Sequence, residues 1–229
     1  MNTTNITDIF FDLDHTLWDF DKNSEMAFDR IFKTKYQEIV TQDFIKEYIP
    51  INQECWRLYQ NDKITHQELR YNRLKFSFDA LNYVISEENI LEIANDYIEF
   101  LTDNNYLFDG AIEVLEYLKP KYKLHIITNG FAHVQEKKIN NASLGGYFST
   151  ITNSELAGVK KPNSIIFDYA LKLANTSKEN SIMIGDDFEA DVNGALNAGL
   201  DAIFFNEKRL AVSENYKQIY HLLELKKYL

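Results

Sequence analysis

The sequence predicts an α/β fold: a doubly wound, Rossmann-like parallel sheet of five strands, with an all-helical domain inserted after the first strand. Two observations predict it. Short, unbroken apolar runs alternate with helical patterns from about residue 106 onward, which is how a sheet covered on both faces is written. Between the first such run and the second lies a long stretch with helix signatures and no convincing strand. It is too long for a single crossover and reads as an insertion.

Ile9-Phe10-Phe11, Leu124-His125-Ile126-Ile127, Ile182-Met183-Ile184 and Ala202-Ile203-Phe204-Phe205 are rich in β-branched or aromatic residues and lack polar alternation, as central parallel strands do. Thr150-Ile151-Thr152 is the candidate for a fifth strand, at an edge. Among the helices, apolar positions 111, 112, 114, 115 and 118 share one face before Pro120, and 165, 166, 169, 170 and 173 repeat the pattern. Asp191 to Ala198 reads as a helix that stops at Gly199. In the insertion, Thr65-His66-Gln67-Glu68 is a capping box. Ser86 opens a stripe of Ile90, Leu91, Ile93, Ala94, Tyr97 and Ile98, and Thr41 is a candidate cap for a helix expected to break near Pro50. The domains are therefore expected at 1–17 with 104–229 (α/β core) and at 18–103 (helical).

Composition narrows the function. The 229 residues are 45% hydrophobic with 16 Phe and 14 Tyr, enough for a sizeable core. The formal net charge of −11 disfavours a nucleic acid polymer or an anionic membrane surface as partner. It also means that a phosphorylated substrate would need locally supplied positive charge. Cys55 is the only cysteine, so no intrachain disulfide forms, and it reads as a small buried residue. The start, Met1-Asn2-Thr3-Thr4-Asn5, lacks the basic and apolar regions of a signal peptide. No apolar run approaches the roughly 18–20 residues that span a bilayer. A cytoplasmic location is expected.

Active sites of open α/β sheets lie at the carboxyl ends of the strands. After the first run comes Asp12-Leu13-Asp14-His15-Thr16; after the second, Thr128-Asn129-Gly130; after Ile184, Gly185-Asp186-Asp187 with Asp191 beyond. Gly158-Val159-Lys160-Lys161-Pro162 precedes the helical pattern that begins at 165. Adjacent carboxylates repel, and a divalent cation is the natural way to hold them together. Oxygen-only ligands select a hard ion, foremost Mg²⁺. Such a set supports phosphoryl transfer to a carboxylate nucleophile, with a second carboxyl group moving protons and a lysine holding phosphoryl oxygens.

Asp12-x-Asp14-x-Thr16, Thr128, Lys161-Pro162 and Gly185-Asp186-Asp187-x-x-x-Asp191 resemble, in order and spacing, the four motifs of the haloacid dehalogenase-like hydrolase superfamily. The resemblance covers essentially the whole chain. It implies Asp12 as nucleophile and Asp14 as general acid/base, with Thr128, Asn129 and Lys161 at the phosphoryl group. The alternative for Thr128 and Asn129 is that they simply cap the next helix, since capping and phosphate binding use the same donors. It implies Mg²⁺ on the Asp12 carboxylate, the Asp14 carbonyl and the Asp186 carboxylate. Asp187 and Asp191 would orient Lys161 or a metal-bound water, or Asp191 would simply start the next helix. His15 occupies a variable position, often Gly, and reads as a loop residue. The insertion resembles a C1-type cap. Phe10 to Ser24, Gly158-Val159-x-Lys161-Pro162-Asn163 and Ile64-Thr65-x-x-x-Leu69-x-x-x-Arg73 resemble the pyrimidine 5′-nucleotidase branch that acts on non-canonical nucleotides.

The expected substrate is thus a small phosphorylated metabolite, foremost a nucleoside monophosphate. A sugar phosphate or another small metabolite is the alternative, and a phosphomutase or a haloacid dehalogenase a weaker one. Trp18, Phe20 and Arg73 are the candidates for substrate selection, against a reading in which Trp18 and Phe20 only pack at the hinge.

Overall fold

A computed structural model describes residues 5–229. Residues 1–4, within the start read above for a signal peptide, lie outside them. Strand β1 (Asp8–Phe11) is followed by four helices: α1 (Phe20–Lys35), α2 (Thr41–Gln60), α3 (His66–Ala80) and α4 (Glu87–Leu101). Alternation then resumes with α5 (Ala111–Leu118), β2 (Lys123–Thr128), α6 (Ala132–Asn141) and β3 (Phe148–Asn153). The rest of the chain adds α7 (Ser154–Ala157), α8 (Ser164–Ala174), β4 (Ser181–Gly185), α9 (Gly194–Ala198), β5 (Asp201–Phe205) and β6 (Gln218–Ile219). The chain divides into two compact units. One runs up to Asp19 and from Tyr106 to Leu229, and the other is Phe20–Asn105.

In the α/β unit the strands lie in the order β3-β2-β1-β4-β5-β6, and every pair is parallel. This is the doubly wound order, with the direction of winding reversing between β1 and β4. Phe11 is level with Ile126 on β2 and Ile184 on β4. The three residues that follow, Asp12, Ile127 and Gly185, therefore emerge together at the carboxyl edge. Ile9, Phe10 and Phe11 are wholly buried, which explains why the strand carries no polar alternation. On one face Phe10, Ile127, Met183 and Phe204 pack with Ile166, Phe167 and Ala170 of α8 and Ala195 and Ala198 of α9.

Two details of the α/β unit differ from the sequence reading. β6 is a sixth strand, two residues long at the edge beside β5, and is too short for a periodicity to show. Asp191 does not open the last helix: it lies in a π-helical turn, Phe188–Asn193, and α9 follows at Gly194 and stops at Gly199 with φ 92°.

His125, mid-strand in β2, is buried and stacks on Phe10 with ring centroids 4.7 Å apart. It bridges Asp8 Oδ1 (3.0 Å) and Thr150 Oγ1 (2.8 Å), and burial holds its imidazole below the usual histidine range. Both ring nitrogens are thus satisfied internally, as a buried polar group requires.

In the helical unit, α1 packs on α2 and α4, and α3 on α2 and α4. Phe28 lies at the centre, with Phe44, Tyr48 and Tyr97 at 4.8, 4.7 and 4.5 Å. The Thr65–Glu68 capping box forms at the start of α3, and the Ser86 side chain caps α4. Thr41 is not a cap: Val40 holds that position, and α2 runs through Pro50 to Gln60. Phe44, Ile45 and Tyr48 before the proline and Asn52 and Cys55 after it all bury on one side, so packing carries the helix past a residue without an N–H. Pro50 itself is exposed. Pro50→Ala restores the missing donor and removes a steric conflict, offset in part by a freer unfolded chain, and is expected to stabilise the protein by about 2 kcal/mol. Denaturant unfolding of the two proteins measures it; an unchanged or lower midpoint refutes it.

Candidate active site

The carboxyl edge of β1, β2 and β4 carries a charged centre around one ammonium. Lys161 is buried, and its Nζ donates to Asp12 Oδ1 at 2.6 Å, to Asp191 Oδ1 at 2.6 Å and to the Ile127 carbonyl at 2.8 Å. Three acceptors match the three N–H bonds of an ammonium. Burial alone would lower the Lys161 pKa, but the two carboxylates more than reverse this and raise it. Lys161 is therefore a fixed cation.

Each partner is placed by backbone geometry. The Asp12 N–H donates to the Ile184 carbonyl at 2.9 Å, which extends the β1–β4 pairing by one step. The Asp191 side chain comes back over β4 from the π-helical turn, and its Oδ2 accepts from the Asp187 N–H at 3.1 Å. A Cβ at Gly185 would lie 2.1 Å from that Oδ2, so only glycine leaves room for this carboxylate. Asp187 turns its own Oδ1 to the N–H groups of Glu189 and Ala190, at 3.0 and 2.9 Å. Of the two acids left open by the sequence, Asp191 is thus the one that orients Lys161. Asn129 clamps the Lys161 backbone: Lys161 N–H donates to its Oδ1 at 2.7 Å, and its Nδ2 donates to the Lys161 carbonyl at 3.0 Å. Neither Thr128 nor Asn129 caps α6, whose N-cap position is Phe131.

One carboxylate oxygen from each of Asp12, Asp186 and Asp191 lies within 4.8 Å of the others. Thr16 Oγ1 donates to Asp186 Oδ1 at 3.2 Å. Burial, together with Asp191 and Asp14, outweighs Lys161 and pushes the Asp12 pKa up to about 7. Burial and the charges of Asp12, Asp191 and Asp187 raise Asp186 well above the usual carboxylate range. Such crowding of acids is what a hard divalent cation relieves. Asp191 already receives a donor on each oxygen, so Asp12 and Asp186 are the better pair for an ion.

Asp14 has a separate environment. Its Oδ1 accepts from Lys138 Nζ at 2.6 Å and its Oδ2 from Gln135 Nε2 at 2.9 Å. Gln135 Nε2 also donates to Thr128 Oγ1 at 2.7 Å. Neither Gln135 nor Lys138 stands out in the sequence, because both sit on a helix and resemble surface residues. Their spacing of three, which shares one helix face, was the available signal.

The three candidates for substrate selection are buried, Trp18 completely and Phe20 and Arg73 nearly so. Trp18 belongs to the α/β unit and not to the insertion, because its N–H donates to Leu13 O and its carbonyl accepts from His15 N–H, both at 2.9 Å. Lys138 Nζ lies 4.3 Å from the centre of its ring. Arg73 lies over the Tyr97 ring at 4.9 Å and donates to Asn52 Oδ1 at 3.3 Å, within the helical unit. His15, read as a loop residue, adopts φ 62°, a left-handed conformation that favours glycine.

Sheet order and crevice together define a doubly wound α/β enzyme with a buried carboxylate–lysine centre. The chain belongs to the haloacid dehalogenase-like hydrolase family, which residues 8–199 match. It is 36% identical over 199 residues to the pyrimidine 5′-nucleotidase YjjG of Escherichia coli, covering 86% of this chain and 85% of that one. With the pyrimidine 5′-nucleotidase PynA of Streptococcus pneumoniae it shares 31% over 225 residues, 96% and 91% of the two chains. The crystal structure of the putative HAD-hydrolase YfnB from Bacillus subtilis, bound to magnesium, superposes with a TM-score of 0.87 at 30% identity, covering 98% and 99%.

An Asp12 pKa near 7 makes cation binding depend on pH, because ligation requires the ionised form. A folded-state value raised above the ordinary 3.8 destabilises the ionised folded protein progressively as pH rises from about 4 through 7. The cation removes that penalty. The rise in melting temperature on adding a saturating divalent cation is therefore expected to be larger at pH 8 than at pH 5.5. Equal shifts at the two pH values would refute it.

Proposed function

We propose that this hydrolase is a Mg²⁺-dependent phosphomonoesterase that works through an aspartyl-phosphate on Asp12, and that its substrates are pyrimidine nucleoside 5′-monophosphates in the cytoplasm. The observation that carries the reading is the buried Lys161 ammonium on Asp12, with Asp186 beside it. Together with a divalent cation it would supply local positive charge for a phosphoryl group in a protein of net charge −11.

In this reading the Asp12 carboxylate attacks phosphorus, with Lys161 fixing its direction. Asp14, as a carboxylic acid, gives its proton to the departing ester oxygen. The resulting Asp14 carboxylate takes a proton from the water that attacks the aspartyl-phosphate, which releases phosphate and regenerates Asp12. Thr128, Asn129 and Lys161 hold the loops around the phosphoryl oxygens. Asp12, Asp186 and the Asp14 carbonyl would hold Mg²⁺, which supplies charge neutralisation and orients the phosphate. Asp14 also speaks against dehalogenation, because displacement of halide requires no acid to protonate an alkoxide. The pyrimidine preference is supported by the two nucleotidase relatives and by the segment from Ile64 to Arg73.

Phosphate release from an aryl phosphate is expected to stop in excess chelator and to fall at least about 1,000-fold in Asp12→Asn. Asp14→Asn should lower turnover about 100-fold or more while substrate and cation still bind. Full activity of Asp12→Asn would sink the nucleophile assignment. In a panel of UMP, dUMP, dTMP, purine nucleotides and sugar phosphates, kcat/KM should be highest for the pyrimidines. A sugar phosphate in the lead would reject the nucleotidase reading and leave the phosphatase one standing.

A further inference from the structure

We propose that Gln135 and Lys138 form a two-point clamp that aims the Asp14 carboxyl group, which makes them positioning residues for proton transfer. The proposal rests on the acid/base reading of Asp14 given above. Three observations support it independently of any motif.

First, both carboxyl oxygens are engaged from one helix. Lys138 Nζ holds Oδ1 at 2.6 Å and Gln135 Nε2 holds Oδ2 at 2.9 Å. Donors on both oxygens fix the rotation of the carboxyl plane as well as its position. Second, the clamp is buried and is accommodated by its neighbours. Lys138 and Gln135 are 2% and 1% exposed. The Trp18 ring receives the ammonium at 4.3 Å, and a Cβ at Gly130 would fall 2.3 Å from Gln135 Nε2. Glycine at 130 is thus what allows the Gln135 amide to lie where it does. Third, the amide is oriented against its own hydrogen-bonding interest. Nε2 meets Asp14 and Thr128, and Oε1 is left buried with no donor. An orphaned buried acceptor costs about 1–3 kcal/mol. That arrangement holds together because turning the amide over would give up both Nε2 hydrogen bonds, to Asp14 Oδ2 and to Thr128 Oγ1.

The role follows from what Asp14 must do. Its proton passes to the ester oxygen in the first step and is replaced from water in the second. Lys138 and Gln135 keep their own protons throughout. A carboxyl group that swings freely spends little time aligned with either oxygen, and small misplacements of a reacting group cost up to about 100-fold in rate. The clamp therefore acts on turnover and not on binding.

The test is a double-mutant cycle on the full chain with Mg²⁺ and UMP. Lys138→Met is expected to lower kcat about 10- to 100-fold with KM and the Mg²⁺ requirement changed less than about two-fold. In an Asp14→Asn background the same change should lower kcat less than about two-fold further. Gln135→Met should follow the same pattern, and carries the test if Lys138→Met does not fold. An equal loss in both backgrounds, a loss confined to KM, or no loss would overturn the clamp. If Asp14→Asn itself leaves turnover unchanged, the acid/base reading falls and the clamp with it. If Asp14→Asn slows turnover and neither clamp variant does, the clamp alone falls.

Discussion

The buried ammonium of Lys161 is the interaction on which the rest of the crevice depends. A charge removed from water is tolerated only when it is paired and its hydrogens are satisfied. Here the pairing draws on three parts of the chain: Asp12 after β1, the Ile127 carbonyl in β2, and Asp191 in the turn after β4. The parallel register brings those parts level. Local features then serve the same contact. Gly185 makes room for Asp191, the π-helical turn carries Asp191 back over the strand, and Asn129 fixes the lysine backbone with two hydrogen bonds.

Charge balance shows why such a centre suits an anionic group in an acidic protein. One lysine lies among Asp12, Asp186 and Asp191, and burial suppresses the ionisation of all three acids. The centre as built is short of positive charge. A divalent cation would restore the balance, and in the proposed reading it would add the positive charge that a phosphoryl group requires. The long-range repulsion expected from a net charge of −11 is thus opposed at close range, where the dielectric is low and pairing is strong.

Asp12 and Asp186 were legible because each follows a buried strand, and such strands announce themselves as short apolar runs. Lys161 was legible from Lys-Pro just ahead of a helical pattern, and the structure brings it to Asp12. What stayed hidden has physical reasons. Gln135 and Lys138 lie on a helix, where a polar residue looks alike whether it faces solvent or a buried acid. Asn129 reads as a phosphate ligand or a cap, and its clamp on Lys161 needs a partner 32 positions away. Trp18 and Arg73 were candidates for substrate contact because of their chemistry, and their burial is a property of packing that no local pattern encodes. Pro50 signalled a break, but the aromatic interior of the helical unit outweighed local propensity.

Two aspartates one residue apart therefore have different surroundings, and the difference is the basis for different roles. Asp12 points to Lys161 and shares its crevice with Asp186 and Asp191; its setting is buried and crowded with charge. Asp14 is turned to Lys138 and Gln135, with its side chain still 22% exposed. In the proposed reading Asp14 exchanges a proton with substrate and then with water, and that exposure suits the role. The intervening Leu13 is wholly buried, and its carbonyl accepts from both Leu17 and Trp18. This anchors the turn that separates the two carboxylates. A single residue between them, held inside the protein, is enough to send one acid into the charged crevice and the other to its edge.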